Sequence, residues 1–345
     1  MALLVEKLER LPKAELHVHL DGSLRPGTLV DLAEQQGRPL PSFDPVELER
    51  RMLARDARNL EDYLARFDIT LSVLQHAAGL ERVAYELALD HAQENVLYLE
   101  VRYSPILHTR EGLPLTETVE APLRGLKRAQ VETGIRTGLI ICGIRNMEPG
   151  TSRDLADLAV AYRGRGVVAF DLAGAEYNYP AKKHRDAFFT VINKNMATTI
   201  HAGEAYGPES IHQALHYCRA NRIGHGTRLI EDPELEGYVR DFRIPLEICL
   251  TSNVQTGAVP RYEDHPLRHY FDSDLMVSLC TDNRLISGTT LTEEFRRAHE
   301  HLGFTWDELV KIARMGFESA FLPWEEKKAM LARFDAGADE LGFDG

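Results

Sequence analysis

Short apolar runs alternate with longer amphipathic stretches along almost the whole chain. Eight runs read as strands: Glu15–Leu20, Val96–Tyr103, Ile135–Ile141, Val167–Leu172, Ala197–His201, Arg222–His225, Pro245–Cys249 and Met276–Thr281. Several are nearly continuously apolar, such as Leu139-Ile140-Ile141 and Val167-Val168-Ala169-Phe170, the pattern of strands covered on both faces of a parallel sheet. Between them apolar residues recur at helical spacing, at Val83, Leu87 and Ala88 within Leu80–Val96 and at Ile211, Ala214, Leu215 and Cys218 within Ser210–Ala220. Thr305-Trp306-Asp307-Glu308 has the form of a capping box opening a helix through Leu309 and Ile312. Eight strands alternating with helices predict an α/β fold, a (β/α)8 TIM barrel. An open doubly wound sheet is the alternative, but no Gly-x-Gly-x-x-Gly follows the first strand. About 75 residues separate the first two strands, where a crossover needs only a dozen or so. Extra helices, one of them over Asn59–Ala77, are expected there as an insertion forming a lid over the C-terminal mouth. No repeat, linker or low-complexity stretch interrupts the chain, and residues 1–345 read as one domain.

Polar residues break this pattern where each strand should end. The first strand closes on His17, His19 and Asp21, the second on Arg102-Tyr103-Ser104, and the fourth runs into Asp171 and Gly174. The fifth ends His201-Ala202-Gly203-Glu204, the sixth Gly224-His225-Gly226, the seventh leads to Thr251-Ser252-Asn253, and the eighth ends Thr281-Asp282-Asn283. In a barrel these ends converge on the face that carries chemistry.

His17 and His19 are two apart on a strand, so both imidazoles lean to one side and could hold one metal ion. With 14 His in the chain, a His-x-His arises by chance about 0.6 times, so the pair alone is a weak signal. Its weight comes from His201 and Asp282 arriving at the same rim. Three imidazoles and a carboxylate suit Zn²⁺ with a position left for water, and Fe²⁺, Co²⁺ or Mn²⁺ stay open. Taken singly, each residue has a plain alternative: a core histidine for His201, a helix N-cap for Asp282, a loop histidine for His225 between its two glycines, and a solvated or capping carboxylate for Glu204.

Composition narrows the class. The chain is 44% hydrophobic and 27% charged, ordinary for a globular protein. Its four cysteines form no Cys-x-x-Cys, which removes a thiolate metal site and fits free thiols in a reducing compartment. Met1–Lys7 turns charged too early for a secretory signal, no apolar run is long enough to span a bilayer, and a cytoplasmic location is expected. A formal net charge of −13 argues against a nucleic-acid partner and for a small neutral or cationic ligand. Nothing in the sequence sets the oligomeric state.

Six stretches together resemble the adenosine deaminase family of metal-dependent amidohydrolases: Glu15–Gly22, Val101-Arg102-Tyr103-Ser104-Pro105, Asp171-Leu172-Ala173-Gly174, His201-Ala202-Gly203-Glu204, Arg222-Ile223-Gly224-His225-Gly226 and Ser278-Leu279-Cys280-Thr281-Asp282. They run in family order over nearly the whole chain. The resemblance implies hydrolytic deamination of adenosine or 2′-deoxyadenosine in purine salvage, with one Zn²⁺ per chain held by His17, His19, His201 and Asp282. It implies that Glu204 gives a proton to purine N1, and that His225 orients and deprotonates the attacking water, which Asp282 also holds. It further implies that the Gly174 backbone N–H meets purine N3, that His19 and Asp21 contact the substrate, Asp21 at a ribose hydroxyl, and that Phe67 lines the lid.

Two positions depart from the family pattern. Asn283 stands where a second Asp is common, and its amide can donate to purine N7 without carrying an acid proton. Ala175 stands where an acidic residue is common. Both bear on substrate choice, with adenine and aminofutalosine as the alternative substrates, and the segment Arg284–Thr290 looks more like that of nucleoside deaminases. A binuclear amidohydrolase is a rival reading, disfavoured because Val167–Leu172 has no lysine to bridge two metals. A non-catalytic binding protein on the same scaffold is a second, disfavoured because no ligand or acid is missing.

Overall fold

The computed structural model describes residues 2–343. Eight strands form one parallel sheet in the order in which they occur in the chain: β1 (Lys13–His19), β2 (Val96–Tyr103), β3 (Arg136–Ile144), β4 (Val167–Ala173), β5 (Ala197–Ala202), β6 (Arg222–His225), β7 (Leu246–Ile248) and β8 (Val277–Leu279). The ring closes just past β8, where Val18 bridges Asp282 in parallel. There the His19 N–H donates to the Asp282 carbonyl at 2.7 Å and the Asp282 N–H to the His17 carbonyl at 2.8 Å. This is the TIM barrel expected from the alternation. All eight predicted strands are present, β7 and β8 shorter than predicted because Cys249 already precedes a helix and Asp282 turns to a φ of 60°.

Inside the barrel the strands carry salt bridges among the usual aliphatic residues. Arg102 on β2 donates to Asp171 at 3.0 Å, to Glu247 at 2.9 Å and to the Leu16 carbonyl at 2.6 Å. Arg222 on β6 donates to Glu247 at 2.6 Å, to Glu100 and to the Ser319 carbonyl at 2.9 Å. Each charge is fully or almost fully buried, which is tolerable only because each is paired and hydrogen-bonded. These bonds tie β2, β4, β6 and β7 across the interior directly beneath the rim.

Between β1 and β2 the chain forms five helices, at Pro26–Gln36, Pro45–Met52, Leu60–Leu64, Phe67–Val73 and Ala77–Gln93. The single helix expected over Asn59–Ala77 is thus two: Asn59 caps the first by accepting from the Asp62 N–H at 2.8 Å, and Phe67 opens the second. The helix expected over Leu80–Val96 starts and ends three residues earlier, because Asn95 takes a left-handed φ of 59° that ends the helix and feeds β2. The helix expected over Ser210–Ala220 runs over Pro208–His216, with Pro208 at its first turn. The Thr305 capping box is formed.

Candidate active site

The strand period and the closing seam together assemble the centre of the site. His17 and His19 point inward from β1, and the two backbone bonds that close the barrel at Asp282 hold its carboxylate beside them. Asp282 Oδ1 lies 3.4 Å from His17 Nε2 and 3.3 Å from His19 Nε2. His201, at the end of β5, sets its Nε2 3.1 Å from that of His19. His225, at the end of β6, completes a compact group: donor atoms of His17, His201, His225 and Asp282 all lie within 4.8 Å of one another. Both Asp282 and His225 have left-handed backbones, with φ of 60° and 63°. For residues that are not glycine this costs about 1–3 kcal/mol each, a strain concentrated here where side chains must be aimed.

Two of the imidazoles have their far sides fixed by carboxylates. His17 Nδ1 lies 2.9 Å from Glu247 Oε2, and His201 Nδ1 lies 3.1 Å from Asp171 Oδ2. An ionised carboxylate only accepts, so each Nδ1 carries the proton and each Nε2 presents a bare lone pair. His17 Nε2 is buried with no hydrogen-bond partner. Lone pairs of buried nitrogens converging on a carboxylate oxygen repel one another unless a cation sits among them. The residues therefore fit a metal ion, and neutral imidazoles with a carboxylate are the donor set of a Zn²⁺-type centre.

Gly224 makes room for this packing. It pairs with His201 on β5 and with Glu247 on β7, and a Cβ there would stand 3.0 Å from His17 Cε1. Gly224→Ala is therefore expected to push the His17 ring off its Glu247 partner and weaken metal affinity by roughly 10-fold or more. Metal titration of the variant against the parent chain checks this; unchanged affinity would mean that the His17 position does not set binding.

Glu204 stands at the rim just past β5. Its carboxyl is buried, Oε1 accepts from the Thr256 hydroxyl at 3.0 Å, and Oε2 lies 3.4 Å from His225 Nε2. Burial, with Asp282 and Glu176 adding their negative charge, pushes its pKa well above the usual carboxylate range. The loop that carries it is fixed by Glu176, whose carboxylate accepts the backbone N–H groups of Gly203, Glu204, Ala205 and Tyr206 at 2.7, 3.0, 2.6 and 3.1 Å.

The remaining predicted residues surround this centre. Asp21 is buried, with Oδ1 unpartnered and Oδ2 3.7 Å from His108 Nε2, so an acceptor is left unspent. Phe67 packs edge-on to His19 with ring centroids 6.3 Å apart. Gly174 has a φ of 92°, open to residues without a side chain. Asn283 donates from Nδ2 to the Tyr63 hydroxyl at 2.8 Å, which also contacts Ser287 at 2.8 Å, so the segment between β1 and β2 is joined to the rim after β8. Sequence reasoning did not single out Glu247, Glu176, Tyr63 or Thr256.

A (β/α)8 barrel with one carboxylate and several imidazoles converging at its C-terminal rim, and a buried carboxyl of raised pKa beside them, defines a metal-dependent hydrolase. The adenosine deaminase family profile matches residues 12–337, and the chain belongs to that family. Among curated relatives, it is 41% identical over 342 residues to an adenosine deaminase of Mycobacteroides abscessus, covering 94% of each chain. It is also 41% identical over 317 residues to a probable adenosine deaminase of Dictyostelium discoideum, covering 91% of this chain but spanning only 41% of that protein's length. Among solved structures, an adenine deaminase from Arthrobacter aurescens superposes with a TM-score of 0.89 at 26% identity, over 95% of this chain and 99% of the other.

Proposed function

We propose that the protein removes the exocyclic amino group of adenosine or 2′-deoxyadenosine by water, giving inosine or 2′-deoxyinosine and ammonia, with one Zn²⁺ per chain held by His17, His19, His201 and Asp282. The observation that carries this reading is a buried carboxyl of raised pKa, Glu204, on the same rim as the imidazole–carboxylate cluster. An aromatic purine carbon resists attack until a ring nitrogen is protonated, and a carboxylic acid that stays neutral near pH 7 can supply that proton. The metal, when bound, lowers the pKa of water and makes hydroxide available at neutral pH.

The chain's own residues do the rest. Glu204 transfers its proton to ring N1 as the water oxygen bonds to C6. Asp282, in place of the His225 that the resemblance implies, takes the water proton, which leaves with the amine when the C6–N bond breaks and ammonia departs. The remaining hydroxyl proton is released as the C6 carbonyl forms and Glu204 is reprotonated. His225 holds the attacking water from the β6 side. The Gly174 N–H meets N3, and Asp21 offers its unspent oxygen to a ribose hydroxyl. His19 and Phe67 flank the substrate, and the helices between β1 and β2 act as its lid. Asn283 contributes the second proton of its amide toward N7, the first being engaged by Tyr63.

β4 places no lysine in the barrel, which supports a mononuclear centre over a binuclear one. The four buried free cysteines support a reducing, cytoplasmic setting. Among the described residues no helix is long and apolar enough to cross a membrane. We take residues 1–345 as one deaminase domain.

A substrate panel tests the reading. Adenosine and 2′-deoxyadenosine are expected to show the highest kcat/KM, followed by loss of ultraviolet absorbance at the adenine band, with adenine and aminofutalosine well behind. Preference for adenine or aminofutalosine would keep the chemistry and reassign the substrate.

A further inference from the structure

His225 differs from the other rim histidines in what stands behind it. Its Nδ1 faces no carboxylate but the Asn253 side-chain amide, with Asn253 Nδ2 at 3.0 Å. Which end of that amide faces His225 is fixed from further out. The Leu267 backbone N–H, which can only donate, meets His265 Nδ1 at 3.1 Å. His265 is buried, and burial lowers its pKa to about 3, so its ring is neutral and carries its proton on Nε2. That Nε2–H lies 3.2 Å from Asn253 Oδ1, which the Thr227 hydroxyl also meets at 3.0 Å. With Oδ1 engaged by His265 and Thr227, the NH₂ end of Asn253 turns to His225, and His225 Nδ1 must accept.

We propose that Asn253 and His265 are positioning residues that fix His225 as its Nε2–H tautomer, so that His225 meets the reaction as a hydrogen-bond donor. A nitrogen that already bears a proton has no lone pair for a metal, so His225 stands beside the cation although its ring belongs to the compact cluster. It also has no vacancy for the proton of the attacking water, which leaves Asp282 as the acceptor. The Nε2–H is aimed toward Glu204 Oε2, 3.4 Å away, and can hold the incoming oxygen in place. His17 and His201, backed by Glu247 and Asp171, have the opposite tautomer and keep Nε2 bare. The carboxylate or amide behind each ring thus sorts ligands from donor, a division of labour resting on the deaminase reading above.

The test is long-range proton–nitrogen correlation NMR on the metal-loaded chain with ¹⁵N-labelled histidine, with His225 assigned by the signal lost in His225→Asn. The expected spectrum has His225 protonated at Nε2 and bare at Nδ1. Asn253→Asp, which can only accept, is expected to invert that pattern to Nδ1–H and leave His17 and His201 unchanged. It should lower kcat by roughly 10-fold or more, the scale of outer-shell effects, with KM unaltered. A wild-type His225 protonated at Nδ1 or at both nitrogens would overturn the proposal, as would a folded Asn253→Asp that keeps the Nε2–H form. If that variant does not fold, the wild-type spectrum alone decides. Failure of the deaminase reading shows separately, as a correct wild-type spectrum in a chain that releases ammonia from no aminopurine.

Discussion

Glu204→Gln is expected to keep its metal and to lose kcat by roughly 10²-fold or more, the range that general acid–base catalysis contributes. Gln is nearly isosteric, can accept from Thr256 as Glu204 does, and leaves His17, His19, His201 and Asp282 in place. What it lacks is a proton to give. The same carboxyl sets the alkaline side of the pH profile. Its pKa is raised, by burial first and by the Asp282 and Glu176 charges next, so it holds its proton to higher pH than an ordinary carboxyl does. Activity then falls as pH climbs past that raised value and the carboxyl ionises. Steady-state kinetics with metal analysis on the same sample check both points, and near-normal turnover in the variant would remove Glu204 from the acid role.

His17→Ala is expected to abolish stable metal binding. The loss removes a donor whose Nε2 has no other partner, and it disconnects the site from Glu247, which aims the ring through Nδ1. Losing a ligand exceeds the roughly 10–100-fold that outer-shell changes cost. The fold should survive, because Glu247 keeps Arg102 and Arg222 as partners. Metal content after dialysis measures the effect, beside circular dichroism for the fold. A folded variant with full occupancy would make His17 a structural residue.

Much of this site was legible before the fold was known, and for a physical reason. A strand's two-residue period puts His17 and His19 on one face, and a barrel sends every strand end to one rim, so His201, His225 and Asp282 could be placed together from position alone. The groups that aim them were harder to see. Glu247 lies 230 residues from His17, and as a single charge between Leu246 and Ile248 it looks like any polar residue in a strand. A signal existed all the same. Glu100, Arg102 and Glu247 interrupt strands that are otherwise apolar, and charges buried in such strands must be paired. Glu176 gave no such signal, because its role is to collect four backbone N–H groups from a loop that only the folded chain brings to it. The helix boundaries were misplaced for local reasons, and Asn95 could have marked the end of the helix before β2 through its tolerance of left-handed backbone.

The central claim is that the rim is one metal-assisted deamination site. The most direct measurement is the reaction of adenosine with the zinc-loaded chain, following inosine and ammonia together before and after chelation. The account predicts one ammonia per inosine, loss of both on removing the metal, and recovery when it is restored. A fully metallated chain that forms neither product, or turnover that persists without metal, would contradict it.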